Sequence, residues 1–266
     1  MKIAILGAGN LGIAIAQGAL KAGITEARNI TLTRRHLAKL NHLTQDGFVL
    51  TSNNAEAVRH CDLIVLCVQP KQVVALLGEI APALDEKKHI LVSTITGVSI
   101  DELSAPLSGK PVPIVRAMPN TAIAIGASMT CICFKGASDQ QLQQVVDMFN
   151  ALGETLIIEE RLMKAATVLA ASGIAFFMRY LRAATQGGIQ LGFDAEEAQS
   201  IAVQTAKGAA MLLQKHDSHP EMEIDKVTTP EGCTIAGLNE MEHQGLSSAL
   251  IKGILTSFEK INNIRK

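Results

Sequence analysis

Aromatic side chains are almost missing from this 266-residue chain: it has no tryptophan, one tyrosine and seven phenylalanines. A core must therefore be built from Ala, Leu, Ile and Val, which suits parallel strands under close-packed helices better than an aromatic-rich sandwich. An excess of one charge is missing too. Lys and Arg number 24 against 25 Asp and Glu, with no basic run, so a nucleic-acid partner has no electrostatic footprint. Cysteines are few (61, 67, 131, 133 and 233), odd in number and without CxxC spacing, which argues against a disulfide framework or a zinc site. Cys131 and Cys133 lie two apart in a strand-like run and read as buried thiols on one side of it. No run approaches the ~18 apolar residues of a membrane span. Met1–Ala22 is Gly-rich and amphipathic rather than signal-like. The expectation is a cytoplasmic protein with no membrane partner and no metal.

What is present is apolar bulk, 48% of the residues with a mean hydropathy of +0.24, ample for a large core. Residues 1–158 alternate strand and helix signals. Strands are expected at Lys2–Leu6, Asn29–Thr33, Phe48–Thr51, Asp62–Val68, His89–Thr94, Pro113–Ala117, Ala127–Phe134 and Thr155–Ile158. Helices are expected at Asn10–Ala22, Arg35–Leu43, Ala55–His60 and Asp139–Leu152. Continuous apolar strands between helices mean an α/β domain with a parallel sheet covered on both faces. Antiparallel additions are expected for the last two strands. From 159 to 266 the strand signal vanishes. Arg161–Thr185, Asp194–Lys215 and Leu246–Ile261 have helical periodicity and much alanine. Such helices bury apolar faces against a second subunit, so a homodimer or larger homo-oligomer is expected.

Gly7-Ala8-Gly9-Asn10-Leu11-Gly12 fits GxGxxG. The pattern alone is weak, but here it ends a strand and opens a helix, the context of a Rossmann-like dinucleotide site. Gly7 serves the turn, Gly9 the close approach of a pyrophosphate, and Gly12 helix–strand packing. The second strand ends in Thr33-Arg34-Arg35, with no carboxylate for a ribose 2′-hydroxyl and two guanidinium groups for a 2′-phosphate. NADPH is expected, with NADH as the alternative. Arg35 also has a plain reading, as a surface charge at the start of the next helix.

Arg116-Ala117-Met118-Pro119-Asn120-Thr121 resembles the R-x-M-P-N-T signature of pyrroline-5-carboxylate reductases. Val68-Gln69-Pro70, Thr96-Gly97-Val98, Asn54 before a short helix, His219-Pro220 and Asp225–Ile235 extend the resemblance along nearly the whole chain. It implies a Rossmann-like domain followed by a helical dimerisation domain. It also implies reduction of L-1-pyrroline-5-carboxylate to L-proline, the last step of proline biosynthesis, at a site shared within a dimer. By the same resemblance Asn54 lies near the adenosine ribose or phosphate. Gln69 and Pro70 line the dinucleotide cleft, Val68 and Thr96 also bind the cofactor, and Met118 and Asn120 approach the nicotinamide. Thr229, Gly232, Cys233 and Thr234 form the substrate loop, with Asp217 near it. The chain departs from the family pattern at Gln69 (Lys in many members), Ala122 (Pro), Ala171–Phe176 (G-S-G-P-A-Y), Thr229 (Ser) and Glu231 (Gly).

Hydride transfer requires a donor and the imine carbon held about 3–3.5 Å apart. Thr234 is the candidate catalytic residue, hydrogen bonding the ring nitrogen. Its plain reading is the N-cap of the last-but-one helix. Backbone N–H groups at 232–234 would hold the substrate carboxylate, with Glu231 turned away. His216 and His219 read as loop residues, and Lys164, Lys207 and Ser172 as non-catalytic. Two rivals stay open: a β-hydroxyacid dehydrogenase-like enzyme, and a catalytically silent NADP-binding protein.

Overall fold

The structure, a computed structural model, describes residues 1–262, with the side chains of His216 and Asn262 outside the described part. Two compact units are present. One is Met1–Ser172 with the chain from Ser257, and the other is Gly173–Thr256.

The first unit is built on eight strands: β1 Ile3–Leu6, β2 Ile30–Thr33, β3 Val49–Thr51, β4 Leu63–Leu66, β5 Ile90–Ser93, β6 Ile114–Met118, β7 Ser128–Lys135 and β8 Gly153–Ile157. Their order across the sheet is β3-β2-β1-β4-β5-β6-β7-β8. β1 to β6 are all parallel, β7 is antiparallel to β6, and β8 is parallel to β7. The last two strands thus oppose the other six, as expected. The alternation of side chains along each strand divides the core. Ile3 and Ile5 pack with Ile30, Leu32, Leu63 and Val65 on one face. Ala4 and Leu6 pack with Ile64, Leu66, Leu91 and Ile114 on the other. Each fully buried Leu or Ile contributes roughly 1.5–3 kcal/mol. Cys131 and Cys133 are buried on β7, and burial pushes both thiols up, that of Cys133 to about 11.

The sheet is covered by α1 Asn10–Lys21, α2 Asn54–His60, α3 Val73–Ile80, α4 Ile100–Ser104 and α5 Asp139–Asn150. α3 and α4 have no counterpart in the sequence reading, because Pro70 reads there only as a strand stop. It also opens a 3-10 turn, Pro70–Gln72, that leads straight into α3. The helix expected at Arg35–Leu43 is corrected: Leu37–Thr44 is a run of 3-10 turns. His36 provides no side-chain cap, and Thr44 Oγ1 bonds the Asn41 carbonyl, competing with a helical ladder.

His89, just before β5, is 1% exposed. Its Nδ1 accepts the Asp85 N–H at 2.8 Å, whereas Nε2 has no partner. Burial holds its pKa below the usual 6.5, so the ring is neutral. A folded pKa below the unfolded one makes this contribution complete above pH about 6.5 and lost as pH falls towards the folded value. We expect the urea midpoint to drop on acidification from pH 7.5 to 5. His89→Asn, which keeps an acceptor for Asp85, should drop less. Equal drops in the two proteins would refute the assignment.

The helix expected at Arg161–Thr185 comprises α6 Met163–Ala166, a π-helical segment Thr167–Ser172, and α7 Gly173–Gln190. Within Glu160–Gln190 one 18-residue stretch reaches a mean hydropathy of 1.4, a value that the core helices of globular proteins also reach. In the second unit α7 is followed by α8 Ala195–His216, α9 Pro220–Val227, α10 Cys233–His243 and most of α11 Leu246–Asn262. Asp194 caps α8, accepting from the N–H groups of Glu196 and Glu197. α7 and α8 pack closely through small residues. A Cβ on Gly188 would sit 2.9 Å from that of Ala198. Large apolar side chains stay exposed, among them Phe177, Met178, Leu191 (83%), Ile201 and Met211. A face of this kind marks a site of association.

Candidate dinucleotide cleft and substrate loop

The strand order reverses between β1 and β4, and ligands of open α/β sheets bind at such a point, beyond the carboxyl ends of the strands. The registers Leu6–Thr33 and Leu6–Leu66 bring the ends of β1, β2 and β4 level. Directly beyond them lies a cavity of about 460 Å³. Its wall includes Gly7, Gly9, Arg34, Arg35, Asn54, Val68 and Gln69 from the sequence reading.

The turn is built from backbone. Gly7 and Ala8 both donate N–H to the Thr33 carbonyl, at 3.2 and 2.8 Å, and Gly9 donates to the Gly7 carbonyl at 2.7 Å. Gly7 has φ +98°, and a Cβ there would lie 2.7 Å from the Cys67 carbonyl. Gly12 packs α1 against the strand, since a Cβ would meet the Gly7 carbonyl at 2.8 Å. At Gly9 a Cβ meets nothing within 4 Å. Gly9 is also the N-cap of α1 and supplies no side-chain cap, and the first turn holds no acidic residue. The leading N–H groups of this helix are thereby left for an anion. Arg34 donates from Nη1 to the Ala8 carbonyl at 3.0 Å, so its charge lies over the turn. Arg35 lines the same cavity and caps no helix, because none follows. An uncapped helix end, open space at Gly9 and two guanidinium groups fit a phosphorylated dinucleotide.

Asn10, Leu11 and Pro70 stand outside this wall. Leu11 packs against the core, Asn10 is the first residue of α1, and Pro70 starts its 3-10 turn. Asn54 opens α2, which Asn53 caps, rather than preceding it. Thr33, His36, Ser52, Gln72 and Glu79 also line the wall, and none of them is among the expected site residues. Thr33 had a usable signal, adjoining the two arginines. Glu79 had none, because α3 was not foreseen. At the back of the cleft, Thr94 Oγ1 lies 3.3 Å from Cys67 Sγ. Burial pushes the Cys67 thiol up to about 12, so it stays protonated and is no nucleophile.

Farther along the same sheet edge, Thr96 Oγ1 lies 3.9 Å from Met118 Sδ, so two of the expected cofactor-binding residues are neighbours. Asn120 is buried and held on three sides. Its Oδ1 accepts from Ala122 N–H at 3.0 Å, its Nδ2 donates to the Ala170 carbonyl at 3.3 Å, and its own N–H bonds Ser128 Oγ. Ala170 lies in the π-helical segment, where the ordinary i+4 pairing is interrupted. Arg116 is buried with Nη1 3.0 Å from Glu160 Oε1, which also accepts the Ile100 N–H at 2.7 Å. The signature arginine thus ties β6 to Glu160 and α4.

The segment that the resemblance assigns to the substrate belongs to the second unit. Thr229-Pro230-Glu231-Gly232 is a turn closed by Gly232 N–H to the Thr229 carbonyl, 2.9 Å. Proline at the second position and a positive φ at the third, +59° at Glu231, give it type II character. The N-cap of α10 is Gly232, which corrects the capping role for Thr234: Cys233 and Thr234 are the first two helical residues. Their N–H groups and that of Ile235 have no intrahelical acceptor by helix geometry. Gly232 allows the tight turn, since a Cβ would lie 2.5 Å from Thr229 Oγ1. Glu231 is exposed in a conformation that favours glycine. Glu231→Gly is therefore expected to raise stability by about 0.5–1 kcal/mol, read as a shift in urea midpoint. Asp217 ends α8 in the left-handed region, φ +47°. His219 Nδ1 caps α9 through Glu221 N–H, and the pairing of His219 with His216 lies outside the described residues. Among the described residues no group of three or more His, Cys, Asp or Glu is placed to hold a metal ion.

The chain is similar to known proteins over nearly its whole length. The family model for pyrroline-5-carboxylate reductase dimerisation matches residues 160–264, and that for NADP oxidoreductase coenzyme F420-dependent matches 2–97. Pyrroline-5-carboxylate reductase 2 of Dictyostelium discoideum is 49% identical, covering 97% of this chain and 91% of the relative. Pyrroline-5-carboxylate reductase 1 of the same organism is 47% identical over 97% of this chain, which spans only 49% of that longer protein. The Plasmodium falciparum pyrroline carboxylate reductase structure with NADP bound superposes with a TM-score of 0.91 at 26% identity, covering all of this chain and 98% of that one. A phosphate-ready turn, the R-x-M-P-N-T strand end and these relatives concur, and the chain belongs to the pyrroline-5-carboxylate reductase family, NAD(P)H-dependent oxidoreductases that act on an imine.

Proposed function

We propose that this chain reduces L-1-pyrroline-5-carboxylate to L-proline, with the cleft as its cofactor site and the Thr229–Thr234 loop as its substrate loop. The cofactor-binding residues are Gly7, Gly9, Asn10, Leu11, Gly12, Arg34, Arg35, Asn54, Val68, Gln69, Pro70, Thr96, Met118 and Asn120. The substrate-binding residues are Asn120, Thr229, Gly232, Cys233 and Thr234. NADPH, or NADH in its place, supplies the hydride when bound.

Gly7, Ala8 and Gly9 hold the turn against Thr33 and leave the end of α1 open to the pyrophosphate. Arg34 and Arg35 bring positive charge to the adenosine end, where a 2′-phosphate is bound. Free N–H groups at the start of α10 receive the substrate carboxylate. The Thr234 hydroxyl bonds the ring nitrogen, orienting the imine and passing it a proton taken from water. The threonine is too weak an acid to drive protonation unaided, and a substrate that arrives as the iminium needs only to be positioned. The exposed apolar face of the helical unit supports a homodimer. The division 1–158 and 159–266 separates nucleotide binding from dimerisation, in a protein we place in the cytoplasm.

The observation that carries this reading is that the R-x-M-P-N-T segment ends a strand of the very sheet whose order reversal holds the phosphate turn. The test is turnover by the purified chain with NADPH and pyrroline-5-carboxylate, followed by nicotinamide absorbance. Oxidation of a hydroxyacid without imine reduction would favour the dehydrogenase rival. The M. tuberculosis 3-hydroxyisobutyrate dehydrogenase structure, at 15% identity and TM-score 0.53, shares the fold alone. α7 also lacks the asparagine such an enzyme needs. Tight NADPH binding without any turnover would mark a silent binding protein.

A further inference from the structure

Glu79 is the one acidic residue among the described residues of the dinucleotide cavity wall. It comes from α3, outside every nucleotide-binding motif in the sequence, and is exposed on its helix. Both carboxylate oxygens accept from a single donor, Asn54 Nδ2, at 3.2 and 3.1 Å. The other end of that amide is held as well, since Thr33 Oγ1 donates to Asn54 Oδ1 at 2.6 Å. A flipped amide would set its oxygen against the carboxylate, acceptor against acceptor. Glu79 thereby decides which edge of Asn54 faces the cleft.

The carboxylate also has a direct consequence. Dinucleotide sites ordinarily place an acidic residue at the end of the second strand, where it accepts from the ribose 2′-hydroxyl. Here that strand ends in Thr33, Arg34 and Arg35, and the carboxylate arrives from α3 into the same cavity. It opposes the extra charge of a 2′-phosphate, which the arginines attract, and offers acceptors to an unphosphorylated ribose. We propose that Glu79 is a specificity-determining residue of the cofactor cleft. Through Asn54 and through its own charge it limits the preference for NADPH and keeps NADH usable. The inference rests on the cleft being the dinucleotide site.

The test is Glu79→Gln in the full chain, with Kd for NADPH and NADH measured by fluorescence titration without imine. Glutamine keeps an acceptor for Asn54 and removes only the charge, and position 79 lies outside the core. The ratio of Kd for NADH to Kd for NADPH should rise on the order of tenfold, with the melting temperature unchanged. Glu79→Ala, which frees the Asn54 amide, should bind both cofactors more weakly than Glu79→Gln. A ratio within twofold of the wild type would overturn the proposal and leave the cleft assignment standing. A wild-type chain that binds neither cofactor would overturn both.

Discussion

Gly9→Ala is expected to weaken NADPH binding by about 10- to 100-fold while leaving the folded protein as stable as before. A Cβ at this position meets no protein atom within 4 Å, and the backbone, at φ −89° and ψ −164°, is one that alanine adopts freely. The methyl group would stand at the end of α1, where N–H groups are left for the pyrophosphate. Loss of one charge-assisted hydrogen bond, about 1.5–3 kcal/mol, sets the range. The two other glycines of the motif should behave in the opposite way. Gly7→Ala combines a strained φ with contacts of 2.7 Å to Cys67 and Val68, and Gly12→Ala drives a methyl into the Gly7 carbonyl. Both should lower stability by about 1–3 kcal/mol. Paired urea melts and cofactor titrations on the three variants separate the effects. A Gly9→Ala protein that binds NADPH like the wild type would remove the phosphate role from this turn.

The second large effect is expected at Thr234. Thr234→Val keeps the shape of the side chain and removes the hydroxyl that we assign to the ring nitrogen. We expect kcat/KM for the imine to fall about 100-fold, at the lower end of what a positioned proton-transfer group supplies. The Kd for NADPH should be unchanged. Thr234 is the second residue of α10 and not its cap, so the loss cannot be put down to helix capping. Thr234→Ser should recover most of the activity. Equal activity of the valine and wild-type proteins would leave the ring nitrogen to backbone or water.

Much of the candidate nucleotide site was legible in the sequence because its parts are local. Gly7, Gly9 and Gly12 lie on one turn, and their roles follow from backbone conformation and contact distance. Arg34 and Arg35 directly follow β2, so naming the strand placed them in the cleft. Glu79 was not legible. It reaches Asn54 from 25 residues away, and only the packing of α3 beside α2 brings the two together. The commitment of the Asn120 amide to the Ala170 carbonyl, 50 residues on, was hidden in the same way.

By itself the sequence determined the run of parallel strands, the phosphate turn and the change to helices after 158. Each is written in hydrophobic period, glycine placement or motif over a few neighbouring residues. Tertiary structure decided the rest: that residues 37–44 wind into 3-10 turns, that Gly232 and not Thr234 caps α10, and that a carboxylate enters the candidate cofactor cavity. Those outcomes depend on contacts between distant segments and on local hydrogen-bond competition, and side-chain periodicity carries no record of either.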